Sequence, residues 1–200
     1  MEPAQTAKNY DQIAPWWREQ HAHSKYGVAQ LERAIGFSER KGNSLDVGCG
    51  SSGRFMSVLE ASGFSVEGMD SSAEMLKLAE EELPSGLYFQ AEVATDRFEQ
   101  KYHFISAWDS TFHLPLDLQE PALENMCAAL LPRGILVFTC GGASEAGTIT
   151  GEFRGCEFEY STLGTDRFLE LLREYSCECL HVEWDQGPTE SHVYMIARKR

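Results

Sequence analysis

Residues 45–55 read Leu45-Asp46-Val47-Gly48-Cys49-Gly50-Ser51-Ser52-Gly53-Arg54-Phe55, a short apolar strand that runs into a glycine turn and then into the start of a helix. Glycines at 48, 50 and 53 fit the spacing G-x-G-x-x-G, the pattern with which a strand-to-helix turn brings its backbone N–H groups up to an anion, most often a pyrophosphate. Asp46, two residues ahead of the first glycine, changes the expected ligand. A full negative charge directed at the loop opposes a pyrophosphate and suits an ammonium, while the free N–H groups can still take a single carboxylate. The turn is therefore expected to receive the charged end of an amino acid, and Gly48 and Gly50 are its candidate backbone contacts.

Outward from this turn, short β-rich runs alternate with helical ones. Strands are expected at 44–48, 64–69, 86–91, 102–108 and 134–140, the order that builds a parallel α/β sheet. Between them, Leu123, Met126, Cys127, Leu130 and Leu131 fall at helical spacing and predict a helix over 119–131, ended by Pro132-Arg133-Gly134. Met75, Leu78 and Ala79 predict another over 71–82, and Phe168, Leu171, Leu172 and Tyr175 a third after Thr165-Asp166. The runs 178–184 and 191–198 are joined by a connection too short for a parallel crossover, so they are expected to be antiparallel neighbours. Residues 1–40 read as a helical lid and 142–164 as an irregular, glycine-rich cover. Both are expected over the carboxyl edge of the sheet, where open α/β folds bind ligands. One domain is expected over 1–200: the lid, a cofactor-binding core at 41–141, the cover at 142–164, and a final helix and hairpin at 165–200.

The chain carries 17 basic and 31 acidic residues, a formal charge of −14. That field repels polyanions and argues against a nucleic-acid partner. The six cysteines match no zinc spacing, and most are expected to be buried small hydrophobes; no metal is called for. No signal-like or membrane-spanning apolar run is present, so the protein is expected to be cytoplasmic and to stay off the membrane, as a monomer or homodimer.

Two further strand ends carry chemistry. Asp70 closes the second strand twenty residues after Gly50, where a carboxylate can accept from both hydroxyls of a ribose, and Ser71 and Met75 follow it. Glu92 closes the third strand, positioned to accept from an adenine amino group, with the N–H of Val93 beside a ring nitrogen. Together LDVGCGSSGRF, EGMDSS followed by AEMLKLA, QAEV, FISAWDSTFHLP and LLPRGILVF resemble the class I S-adenosylmethionine-dependent methyltransferases of the small-molecule type, closely over about 45–140. One departure is that the third loop glycine falls at Gly53, where the family usually has it at the position of Ser52.

The resemblance implies a Rossmann-like three-layer fold with a seven-stranded, mostly parallel sheet whose last strand is antiparallel and inserted beside the fifth. It also implies S-adenosyl-L-methionine as cofactor, and an amino-terminal lid with a tyrosine near it. Tyr10 and Trp16 are the lid candidates, and Trp108 lies where the fourth strand meets the reacting methyl. Asp109 and His113, just past that strand, could orient or deprotonate an acceptor, or could merely cap the turn and satisfy local backbone. Phe158, Tyr160, Gln186 and His192 are candidate acceptor contacts, each also open to a plain packing role. The expected activity is in-line methyl transfer to an O, N or S atom of a small molecule. The rival readings are a non-catalytic S-adenosylmethionine-binding module and an NAD-linked oxidoreductase, which would share the glycines and Asp70.

Overall fold

The computed structural model describes residues 1–21, 23–186 and 191–200. In chain order its elements are α1 (Pro3–His21), α2 (Val28–Gly36), β1 (Asn43–Val47), α3 (Arg54–Ala61), β2 (Ser65–Asp70), α4 (Ala73–Glu82), β3 (Leu87–Gln90), β4 (Tyr102–Ala107), a 3-10 turn (Thr111–His113), α5 (Leu116–Ala129), β5 (Leu130–Gly141), β6 (Gly147–Phe153), β7 (Cys156–Thr162), α6 (Thr165–Glu174), β8 (Cys177–Trp184) and β9 (His192–Lys199). Seven strands form one sheet in the order β3-β2-β1-β4-β5-β9-β8. β9 runs antiparallel to both β5 and β8, so six strands point one way and only the last is reversed.

Burial on both faces explains why the central strands are unbroken apolar runs. Along β4 and β5, Ile105, Leu136 and Phe138 face the layer made by α5 and α6. The alternate residues Phe104, Ile135 and Val137 face the opposite layer, with Phe55, Met56 and Leu59 of α3 and Leu31 of α2. The same alternation turns Asp46 away from Leu45 and Val47 and sets it opposite Ser106 in the β1–β4 register.

Helix α1 is fastened across the carboxyl edge of the sheet. Its Asp11 Oδ1 accepts from the Ser72 hydroxyl (2.6 Å) and the Glu74 backbone N–H (3.2 Å) at the start of α4. Arg18 pairs with Glu81 and Glu82 at the other end of α4, and Asn9 Nδ2 donates to the Glu157 carbonyl (2.7 Å) on β7.

Two expectations need correction. The segment 142–164 is not irregular: β6 and β7 pair antiparallel from Gly147–Thr162 to Phe153–Cys156. The two residues at their tip, Arg154 and Gly155, have φ of 52° and 78°, the left-handed pair whose twist matches that of a hairpin. Helix α5 stops at Ala129, two residues short of the expected end. Leu131 precedes a proline and is pushed out of the helical region, Arg133 turns at φ 69°, and Leu130 is buried as the first residue of β5. Helix α3 begins at Arg54, with Gly53 (φ 56°) as its cap.

Candidate functional site

A cavity of about 200 Å³ opens at the carboxyl ends of β1, β2, β3 and β4, beneath α1. Its floor is the glycine loop. Gly48 and Gly50 sit at φ 67° and 61°. A Cβ on Gly48 would lie 2.3 Å from Ser110 Cβ, so the loop can pass the end of β4 only without a side chain. A Cβ on Gly50 would meet nothing within 4 Å, which leaves its backbone open to a ligand. Gly53 has a different task, since its Cβ would come 3.3 Å from Leu83 Cβ; it lets α3 pack close to the end of α4.

Asp70 accepts backbone N–H groups from Gly50 (3.0 Å) and Ser72 (2.9 Å), which fixes its carboxylate at the cavity wall. A carboxylate has about four lone-pair sites, so two remain for a pair of hydroxyls. Burial raises its pKa, and the N–H groups of Ser72 and Gly50 pull it back down. Ser71, Met75, Glu92 and Val93 line the same wall, and Trp108 closes the far side. The Glu92 carboxyl is likewise raised, chiefly by burial and against the pull of the Ala94 N–H.

Asp46 does not line the cavity. Its side chain lies flat on the sheet, buried, and its Oδ1 accepts from the Ser106 hydroxyl at 2.6 Å. Burial pushes its carboxyl up to about 7, against the pull of the Ser106 hydroxyl and the Arg54 guanidinium. It therefore makes no direct contact with what the cavity holds.

Several polar atoms around the cavity lack a partner among the described residues: Ser51 Oγ, Arg54 Nε and Nη1, Trp108 Nε1 and Ser110 Oγ, all on cavity-lining residues. Buried polar groups rarely stay unpaired, so these atoms fit a cavity whose ligand brings its own donors and acceptors. Arg54 is the most telling. It is the first residue of α3, its cation lies 5.8 Å from the centre of the Tyr26 ring, and it supplies the positive charge that a carboxylate beside the loop would meet.

A second cavity of about 210 Å³ adjoins the first, and Tyr10, Trp17, Asp109 and His113 line both. Phe112, Phe158 and Tyr160 give it an aromatic wall, and Ile13 and Phe153 close it. The Tyr10 hydroxyl lies 2.7 Å from His113 Nε2, and His113 Nδ1 lies 3.2 Å from the Glu159 carbonyl oxygen. A carbonyl can only accept, so Nδ1 carries the proton and Nε2 accepts from Tyr10. Burial holds this imidazole neutral, with its pKa lowered to about 4. His113 thus positions Tyr10, and its lone pair is already occupied.

Asp109 is different. It adopts φ 52°, a conformation held at some cost, and its carboxyl is pushed up to about 6 by burial, against the pull of His192 and the Tyr26 hydroxyl. Tyr26 donates chiefly to Asp185 Oδ2 (2.5 Å) and lies 3.5 Å from Asp109 Oδ1. Asp109, Asp185 and His192 each offer a ligand atom, all within 4.8 Å of one another, the grouping among the described residues that could hold a metal ion.

Besides Asp46, three candidates fall elsewhere than expected. Trp16 does not line the cavity; its ring packs on Phe153 and under the Arg154 guanidinium, 4.6 Å from the ring centre. Trp17 takes the inward position, because Tyr10, Ile13 and Trp17 share one helical face at i, i+3 and i+7. Gln186 is exposed and lines neither cavity, and the four residues after it lie outside the described residues. His192 stacks on Phe112 (ring centres 4.6 Å apart, 14° between planes), behind the acceptor wall. Besides Trp17, sequence reasoning missed Arg54, Tyr26 and Asp185. Arg54 carried a signal, a cation immediately after the glycine loop; Tyr26 and Asp185 meet only through the folded lid.

A family model described as a methyltransferase domain matches residues 17–146, well over half of the chain, and the chain belongs to that family. It has the fold of the class I S-adenosylmethionine-dependent methyltransferases, and S-adenosylmethionine is its cofactor. Among curated proteins, none matches the chain significantly. Among solved structures, a TehB-like methyltransferase from Corynebacterium glutamicum is similar at 24% identity and TM-score 0.69, with all of both chains covered. The 1,6-didemethyltoxoflavin N1-methyltransferase of Burkholderia thailandensis is similar at 17% identity and TM-score 0.75, over 100% of this chain and 91% of that one. A methyltransferase from Clostridium acetobutylicum gives 14% identity and TM-score 0.73 over 95% and 98%.

Proposed function

We propose that the protein transfers the methyl group of S-adenosylmethionine to a nucleophilic atom of a small molecule held in the second cavity. The observation that carries this reading is the pair of adjoining cavities that share Tyr10, Trp17, Asp109 and His113 under α1 and the β6–β7 hairpin. Such a roofed chamber suits a small acceptor better than a protein segment, which would need an open groove. The Burkholderia relative, whose structure holds 1,6-didemethyltoxoflavin and S-adenosylhomocysteine, supports the same reading.

When bound, S-adenosylmethionine supplies an electrophilic methyl whose bond to sulfur breaks, its electron pair staying on sulfur, as the acceptor's bond to carbon forms. The chain's own part is placement. Asp70 holds the ribose, Glu92 and Val93 the base, and Gly50 with Arg54 the carboxylate of the amino acid, while Asp46 supplies negative charge from below. Tyr10 and Trp17 separate the reacting atoms from water. Positioning alone is worth about 7–11 kcal/mol of a barrier, more than a general base usually adds. The neutral, already bonded His113 is consistent with a reaction that relies on placement.

Mass spectrometry of the purified protein for retained S-adenosyl compounds, followed by a screen of small acceptors for S-adenosylhomocysteine release, tests the proposal. Release coupled to a methylated acceptor is expected. Tight cofactor binding with no turnover on a broad panel would favour a non-catalytic binding module instead.

A further inference from the structure

We infer that the acceptor presents an amine on a flat, apolar body, and that Asp109 is the residue that receives this amine; the inference rests on the methyltransferase reading above. The second cavity is walled by aromatic rings, and among the residues lining it there is no lysine or arginine. Its ionisable groups are Asp109, the neutral His113 and the tyrosine hydroxyls of Tyr10 and Tyr160. Asp109 lies on the boundary with the cofactor cavity, where the accepting atom must sit.

The groups facing Asp109 increase this preference for a cation. Asp185 is buried, its Oδ1 has no partner among the described residues, and its other oxygen takes the Tyr26 hydroxyl. His192, on β9, is the basic group that faces the pair, and Arg54 contributes from the cofactor side. An anionic acceptor (a carboxylate, phosphonate or phenolate) would lie beside the Asp109 carboxylate, with no cation among the residues lining this cavity to compensate its charge, which burial makes costly. An ammonium gains twice. It pairs with Asp109, and the rings of Tyr10, Trp17, Phe158 and Tyr160 surround its apolar body and attract its charge.

The proton account also closes. The amine must give up one proton to expose its lone pair, and the Asp109 carboxylate takes it. The neutral nitrogen then forms the bond to the methyl carbon while the carbon–sulfur bond breaks towards sulfur. His113 is not available for this step, because its Nε2 already accepts from Tyr10.

The test uses the whole chain loaded with S-adenosylhomocysteine, in buffer with and without EDTA. Phenethylamine and tryptamine are compared with 2-phenylethanol, 2-phenylethanethiol and 3-phenylpropionate. Binding is read by calorimetry and tryptophan fluorescence, and turnover with S-adenosylmethionine by product mass. The amines should bind about ten- to a hundredfold more tightly than the alcohol, the range expected for a hydrogen bond to a charged group, with the carboxylate weakest. Asp109→Asn should remove that preference, and Asp109→Glu should restore part of it, with S-adenosylhomocysteine binding in each variant showing that it still folds. An equal or reversed ranking, binding of none of the five, or a preference that survives in Asp109→Asn overturns the inference and leaves the methyltransferase reading intact. Turnover that EDTA abolishes would overturn it too, in favour of a cation bridging Asp109, Asp185 and His192. Failure of S-adenosylhomocysteine itself to bind would sink the parent reading and this one with it.

Discussion

Replacing Asp46 with asparagine should make the ligand-free protein more stable at alkaline pH while weakening its grip on the cofactor. The carboxyl is buried on the sheet face and burial raises its pKa from an ordinary 3.8 to about 7. A folded-state pKa above the unfolded one means that the folded chain binds the extra proton. The penalty is therefore absent below the unfolded value, grows as pH rises towards the folded value, and is constant above it. At about 1.4 kcal/mol per pH unit, the full gap is worth about 4 kcal/mol, good to a factor of two or three. Asparagine keeps an acceptor for the Ser106 hydroxyl but buries an amide with no partner, at about 1–3 kcal/mol. The variant should therefore be less stable than wild type near pH 4 and equally or more stable at pH 8. Urea unfolding of both proteins between about pH 4 and 8.5 isolates the effect, because Asp109 and His113 titrate in both and cancel in the difference. A difference that does not change with pH would mean that Asp46 ionises as an ordinary surface carboxylate, and that burial on the sheet does not penalise its charge.

Gly48 and Gly50 should respond differently to alanine. Gly48→Ala adds a Cβ 2.3 Å from Ser110 Cβ and should lose stability and cofactor binding together, seen as a lowered melting temperature. Gly50→Ala meets no neighbour within 4 Å, so calorimetry should show a larger loss in cofactor affinity than in stability. Tyr10→Phe leaves His113 Nε2 without its donor and should cost about 1–3 kcal/mol of stability, which chemical unfolding would measure. In a pH profile of kcat/KM the acid limb should lie near 6 and belong to Asp109, whose carboxyl is pushed up to about 6 by burial. That limb should disappear in Asp109→Asn and persist in His113→Gln.

The sheet was legible because its inner strands are buried on both faces, which leaves continuous apolar runs such as Ile135 to Cys140 between glycine and proline signals. The reversal of β9 could be read from the short link after β8. The β6–β7 hairpin could not. The outer strand Gly147-Thr148-Ile149-Thr150 is solvent-exposed along its length and carries no alternating pattern, and its turn is Arg154-Gly155 in place of the familiar Asn-Gly. At the site, the strand ends pointed to residues that line the first cavity, since Gly48, Gly50, Asp70, Glu92 and Trp108 lie where parallel strands finish. The orientation of Asp46 was harder to read, because its partner Ser106 is 60 residues away and known only through the β1–β4 register. The choice between Trp16 and Trp17 depended on the phase of α1, which is set by packing of Tyr10 and Ile13 on the hairpin. His113 looked like a base because the Glu159 carbonyl that fixes its tautomer comes from that same unforeseen hairpin.

Everything turns on Asp70 holding the nucleoside of S-adenosylmethionine in the glycine-loop cavity. Calorimetric titration of S-adenosylhomocysteine and of NAD into wild type and Asp70→Ala decides this. Saturable binding of S-adenosylhomocysteine by wild type, a loss of about a hundredfold or more in the variant, and no heat with NAD are the predicted results. Unchanged affinity in Asp70→Ala, or NAD binding in place of S-adenosylhomocysteine, would contradict it.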